Sequence, residues 1–220
     1  MLRKFMEAYD KYTRQYRFFG ISFQMMLSVS FTVMALVLAI CFPSLPYKWF
    51  CLAGMGMSLL GDILLTPDSF LTKFYHGDLF LFGGAAFLVA HLLYAQGFLQ
   101  KASMLGQASA WKWIMLGLFF GIGMAFLLPS HLSNPNKNTP LFIGIAIYLL
   151  VICYNVGAVF GGALAGGKIK DYLSFFGIVS FYISDIILLC GVTGKEKVVY
   201  YDQWIWIFYP IGQFFLIAFA

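Results

Sequence analysis

From Phe19 to Phe42 the chain runs without a single charged residue. About 30 Å of bilayer hydrocarbon needs about 20 residues of helix at 1.5 Å per residue, so this run is long enough to cross a membrane. Comparable runs recur at roughly Tyr47–Leu65, Asp78–Phe98, Trp111–Leu128, Leu141–Leu164, Tyr172–Cys190 and Tyr200–Phe219. Over all 220 residues 61% are hydrophobic and 10% are charged, where a soluble domain carries about 25% charged residues. No soluble fold hides that much apolar surface, so lipid must cover part of it. A membrane β-barrel would alternate apolar and polar residues over segments of about ten, whereas these runs are continuous. The pattern predicts an all-α, polytopic transmembrane bundle of about seven spans, or eight, built as one domain over residues 18–220. Residues 1–17 place Leu2, Phe5, Met6, Tyr9, Tyr12 and Tyr16 at three-to-four spacing, which predicts an amphipathic helix lying on the membrane surface.

The net charge of +5 does not point to nucleic acid, because the basic residues are scattered singly through short loops. They cluster only at Arg3, Lys4, Lys11, Arg14 and Arg17, beside the first span, a placement that suits anionic headgroups. Of the 14 Lys and Arg residues, nine fall on the N-terminal side, and Lys48, Lys101, Lys112, Lys168 and Lys170 fall opposite. That bias predicts a multi-pass protein with a cytoplasmic N-terminus. The first apolar run starts late and is long enough to be retained as a span rather than cleaved as a signal peptide. Cys41, Cys51, Cys153 and Cys190 lie in apolar segments without CxxC spacing, so they read as small buried hydrophobes. Turn chemistry in "PSLP", "TPDS", "PSHLSNPNKNTP", "GGK" and "GVTGKEK" separates the spans and leaves no room for a soluble second domain. The pairs Gly157/Gly161 and Gly162/Gly166 would let helices approach closely.

Two aspartates break the apolar pattern: Asp62 in "SLLGDILL" and Asp185 in "FYISDIILL". Ionisable residues at membrane depth are costly, face the interior and mark function by default. Asp62 lies near the end of the second span and Asp185 near the end of the sixth, so spans of equal parity bring both to the same membrane face. The third span carries Gly84, Phe87, His91 and Tyr94 on one helical face. The fifth brings Tyr148, Tyr154 and Asn155, and the last brings Tyr209 and Gln213 at i, i+4. Asp78 reads as a helix start, where a carboxylate suits the dipole. Asp68 reads as a loop residue, and His76 and His131 as exposed. The Asp and His residues could in number supply a metal, but no HExxH or similar spacing joins them, and no metal or other cofactor is expected.

Two carboxyls in a low-dielectric site tend to share one proton, which equips them as general acid and general base. No GxSxG elbow or Ser–His pair is visible, so water would be the nucleophile. Acid-labile ethers and acetals suit such a pair, as paired carboxylates show with glycosides. A site opening sideways to lipid calls for an amphiphilic substrate.

"SLLGDILL" followed by "FLFGGAAFLVAHLLYAQGF" (Phe80–Phe98) resembles the YhhN family of membrane proteins, whose characterised members are lysoplasmalogenases. "GIVSFYISD" (Gly177–Asp185) is similar to the family's second aspartate motif, and "FYPIGQFFLIA" (Phe208–Ala218) to its C-terminal Tyr-x-x-x-Gln helix. The resemblance implies hydrolysis of the vinyl ether of lysoplasmalogen, giving a fatty aldehyde and glycerophosphoethanolamine or glycerophosphocholine. Carried over by position, it highlights Asp62, His91, Tyr94, Tyr148, Ser184, Asp185, Tyr209 and Gln213. Asp62 and Asp185 would be catalytic, with the remainder and Tyr154 and Asn155 contacting the lysophospholipid. The chain departs from the family in the fifth span, where members often carry Met and Trp-Arg and this sequence has "YNVGA". The alternatives are a small proton-coupled transporter using Asp62 and Asp185 as relay sites, or a lipid-binding membrane protein. The first lacks a clear repeat between halves, and the second leaves the aspartates unexplained.

Overall fold

The computed structural model describes residues 6, 17–18, 21–65, 79–106, 113–118, 120–122, 139–193 and 199–220. A two-residue antiparallel pair, Arg17–Phe18 with Ile21–Ser22, precedes the first helix. The rest of the described architecture is helical: α1 (Phe23–Cys41), α2 (Pro46–Leu65), α3 (Phe80–Met104), α4 (Trp113–Ile122), α5 (Thr139–Gly166), α6 (Ile169–Thr193) and α7 (Tyr201–Ala218). Ser22 starts α1 as an N-cap, its hydroxyl accepting from the Met25 amide at 3.3 Å. The αL residue Tyr200 (φ 61°) precedes α7, and Pro210 inside α7 removes the amide that would bond to Trp206.

By length and composition α1, α2, α3, α5 and α6 can each cross a membrane. Seven such spans were expected. The described part of α4 is short, and α7 is diluted by Asp202, Gln203 and Gln213, yet both occupy the expected places. α3 continues six residues beyond the expected end at Phe98. The expected N-terminal amphipathic helix, apart from Met6 and from Arg17, which joins the short strand instead, and the readings of Asp68, His76, Asp78 and His131 lie outside the described residues.

Six helices close a ring. α1 packs on α2, α2 on α3, α3 on α5, α5 on α6, α6 on α7, and α7 returns to α1. The central core runs through Phe87, Tyr94, Phe98, Leu149, Ile152, Ile178, Phe181, Tyr209 and Leu216. The outward faces are apolar; Val33, Val37 and Ile40 on α1 are more than half exposed, as a lipid-facing surface requires. The α6–α7 crossing is close because both partners are glycine. A Cβ on Gly177 would stand 2.5 Å from the Leu216 amide nitrogen, and one on Gly212 would stand 2.7 Å from that of Phe181. Gly157 plays the expected packing role on α5, against the backbone of Trp113 and Ile114 in α4.

At one end of the ring sits a polar cluster that corrects the loop assignment of two lysines. Lys48 belongs to α2 and Lys101 to α3, and both are buried. Lys101 Nζ donates to Asp171 Oδ1 at 2.8 Å and to the Phe219 carbonyl at 3.5 Å, while Lys48 Nζ donates to the Ala220 carbonyl at 2.6 Å. Asp171 also caps the start of α6, accepting from the Lys168 amide at 3.2 Å. Two cations thus hold the carbonyl end of α7, where the helix dipole favours positive charge.

Candidate active site

Asp62 lies fourteen residues along α2 from Lys48, about 20 Å at 1.5 Å per residue, so the second polar cluster sits well away from the first. Every helix of the ring contributes to it. Asp62 and Asp185 are 5% and 4% exposed, which places both inside the bundle rather than toward lipid.

Around Asp62, Oδ2 accepts from the Ser28 hydroxyl of α1 and from the Tyr209 hydroxyl of α7, the latter at 2.7 Å. Around Asp185, His91 Nε2 of α3 lies 3.0 Å from Oδ2. The Tyr148 hydroxyl of α5 lies 3.5 Å from the same ring nitrogen. Asn155 Nδ2 lies 2.9 Å from His91 Nδ1. A third group sits deeper, where the Tyr94 hydroxyl donates to Gln213 Oε1 at 3.0 Å and lies 3.2 Å from Ser58 Oγ.

Aromatic rings join these groups. Tyr209 packs edge-on against Phe181 at 5.2 Å and Phe87 at 5.9 Å, and Phe181 stacks at a tilt on His91 at 4.7 Å. Glycines make room for the rings. A Cβ on Gly61 would lie 2.6 Å from the Phe87 ring, and one on Gly54 would lie 2.6 Å from the Tyr94 ring. The Gly-Asp dipeptide therefore has two jobs: the glycine seats a ring and the aspartate faces the interior. On α3 the tightly packed glycine is Gly83, against Leu65, while Gly84 meets open space.

Of the residues anticipated from sequence, Asp62, His91, Tyr94, Tyr148, Asn155, Asp185, Tyr209 and Gln213 come together. Two do not join them. Ser184 Oγ donates to the carbonyl of Phe181 in its own helix at 2.7 Å, which is ordinary back-bonding of a helical serine. Tyr154 is half-buried and packs beside Ala95, Ile114 and Ala158, on the side of α5 that meets α4. Ser28 and Ser58 are the members that sequence reasoning missed. Each is a small polar residue in an apolar run, and only the fold supplies its partner.

Two buried amide atoms, Asn155 Oδ1 and Gln213 Nε2, have no hydrogen-bond partner among the described residues. One is an acceptor and the other a donor. Buried polar atoms are ordinarily satisfied, so a water or a substrate oxygen suits this seam. Among the described residues no three His, Cys, Asp or Glu side chains stand close enough to hold a metal ion.

No curated protein and no solved structure matches the chain significantly. The model of the YhhN family does match, over residues 23–220, which takes in all seven helices and every residue of the seam. The chain is therefore a membrane protein belonging to the YhhN family.

Proposed function

We propose that this protein is a membrane-embedded hydrolase that cleaves the vinyl ether of lysoplasmalogen, releasing a fatty aldehyde and a glycerophosphoethanolamine or glycerophosphocholine. The observation that carries this reading is the pair of inward-facing carboxylates, Asp62 and Asp185, held in one seam by donors from neighbouring helices. A vinyl ether is attacked by a proton at its β-carbon, which leaves an oxocarbenium centre for water. That chemistry needs an acid, a base and a polar pocket for water, and no protein nucleophile. Serine is present at Ser28, Ser58 and Ser184, but each hydroxyl is engaged with Asp62, Tyr94 or its own helix.

The acyl chain of a lysolipid suits a bundle whose outer faces are apolar, and a polar headgroup suits the buried amides of Asn155 and Gln213. With Lys48 and Lys101 removed from the loop tally, the basic bias becomes nine to three and favours a cytoplasmic N-terminus more strongly. In that orientation the seam lies nearer the cytoplasmic leaflet, because α2 and α6 both end there.

The direct test is aldehyde release by purified wild type, Asp62→Asn and Asp185→Asn proteins in mixed micelles. Each substitution keeps size and removes the titratable group, so each variant should lose about 10²–10⁴-fold in rate. Hydrolysis above about a tenth of wild type in either variant removes that aspartate from the reaction.

A further inference from the structure

A second polar layer lies one helical turn behind the carboxylates, and contacts between helices give its height. Lys48 meets Ala220 and Asp62 meets Tyr209, so α2 and α7 run antiparallel. Gly54 against Tyr94 and Gly61 against Phe87 make α3 antiparallel to α2. Gly162 against Phe98 and Asn155 against His91 make α5 parallel to α3. Ser58 and Gln213 therefore stand four residues from Asp62 and Tyr209 toward the lysine cluster, about 6 Å at 1.5 Å per residue. His91, between Phe87 and Tyr94 on α3, falls at the same height with its partner Asn155, and Tyr94 reaches back to meet Ser58 and Gln213. Burial separates the two layers. Ser58, His91, Tyr94, Asn155 and Gln213 are all 0% exposed, whereas Asp62, Asp185 and Tyr148 keep 5%, 4% and 9%. The way in is on the carboxylate side, and the second layer closes the seam behind it.

Both orphaned amide atoms, the Asn155 Oδ1 acceptor and the Gln213 Nε2 donor, belong to this closed layer. The other end of each amide is held, Asn155 Nδ2 at 2.9 Å from His91 Nδ1 and Gln213 Oε1 by the Tyr94 hydroxyl at 3.0 Å. Turning either amide over would only exchange one orphan for the opposite kind. Their partner must both donate and accept, and must be small enough for a layer sealed from lipid. Water meets both conditions, and buried water typically makes about three hydrogen bonds to groups of this kind. A headgroup would suit the same amides by chemistry, but it would have to pass the carboxylates to reach them.

We propose that the layer of Ser58, Tyr94, Asn155 and Gln213 binds water and supplies it to the carboxylates from behind, while the lysolipid enters from the opposite side. The supply role rests on the hydrolytic reading above; the water site does not. One water that bridges two hydrogen bonds of about 2.8 Å spans the turn between the layers. In the reaction its oxygen bonds to the oxocarbenium carbon as one of its O–H bonds breaks. That proton passes to a carboxylate of the seam and replaces the one delivered to the β-carbon. The hemiacetal then divides into aldehyde and alcohol. Asn155 and Gln213 act through the water and are positioning residues.

Millisecond X-ray radiolysis of the purified full chain in detergent tests the site independently of activity, because a bound water yields hydroxyl radicals in place and these oxidise the side chain beside it. Tyr94 and Met55, both buried and 3.6 Å apart from hydroxyl to sulfur, report on this layer. Wild type should show oxidised Tyr94, and Asn155→Leu and Gln213→Met should each reduce that oxidation several-fold. Unlabelled Tyr94 in wild type overturns the water site, whatever becomes of the variants. Steady-state kinetics with lysoplasmalogen read the supply role. Both substitutions should lower kcat by up to about 10²-fold and leave KM unchanged. A raised KM at unchanged kcat puts the headgroup on the amides and overturns the proposal. Labelled Tyr94 in a wild type that releases no aldehyde upholds the water site and overturns the hydrolytic reading together with the supply role.

Discussion

Ser28 of α1 and Tyr209 of α7, neighbours where the ring closes, meet at one oxygen of Asp62. Removing either hydroxyl leaves a buried acceptor less satisfied, which costs about 1–3 kcal/mol where no water takes its place. Tyr209→Phe should therefore lower activity more than it lowers stability, since the ring packing against Phe87 and Phe181 is kept. Comparing aldehyde release with the thermal midpoint of the same preparation checks this. Gly61→Ala is the converse case. Its methyl group would collide with the Phe87 ring, and overpacking of this kind costs about 1–3 kcal/mol, so the midpoint should fall with the activity. The charged members of the site were legible in the sequence because a carboxylate or imidazole inside an apolar run demands an explanation. Ser28 and Ser58 were not, because a serine hydroxyl can satisfy itself on its own helix and leaves no mark in the pattern. Ser184 shows the same ambiguity in reverse: it stands beside Asp185 in the sequence and still bonds backward to Phe181.

Between helices, the α6–α7 contact and the lysine cluster do most to fix where the site residues stand. Gly177 and Gly212 let α6 and α7 touch backbone to backbone, which brings Tyr209 against Phe181 one turn from Asp185. Gly212→Val should separate the helices, lower the thermal midpoint and abolish activity without touching a catalytic group. Lys101→Met leaves Asp171 buried without its ammonium partner. Breaking a buried pair in this way costs about 3–5 kcal/mol, whereas replacing both partners by apolar groups is often neutral. Lys101→Met should therefore unfold well below wild type in detergent, and Lys101→Met combined with Asp171→Leu should recover most of the loss. Equal midpoints for the single and double variants would remove the pair from the account. Helix positions were readable from continuous apolar length alone. The burial of Lys48 and Lys101 was not, because a lysine at the edge of a span looks like a flanking anchor until its partner is known, and Asp171 lies 70 residues away from Lys101.

For the molecule as a whole, the closed ring makes one interior and one lipid-facing exterior from the same chain. All six helices of the ring place polar atoms in the seam, so its geometry exists only when the ring is complete. The all-α membrane class followed from apolar runs, and parity put Asp62 and Asp185 toward the same end of the bundle. The closure of α7 onto α1, and hence the bond from Ser28 to Asp62, depends on contacts between segments that no local pattern links. An interior built around carboxylic acid chemistry should discriminate by bond type, because a vinyl ether is protonated at carbon while an ester needs a nucleophile at its carbonyl. Lipid mass spectrometry of purified wild-type protein incubated with an equimolar mixture of lysoplasmalogen and the acyl lysolipid of the same chain length and headgroup measures this directly. Loss of the lysoplasmalogen with matching gain of fatty aldehyde, and survival of the acyl lysolipid, is the predicted result. Equal loss of both lipids, or persistence of the lysoplasmalogen, would contradict it.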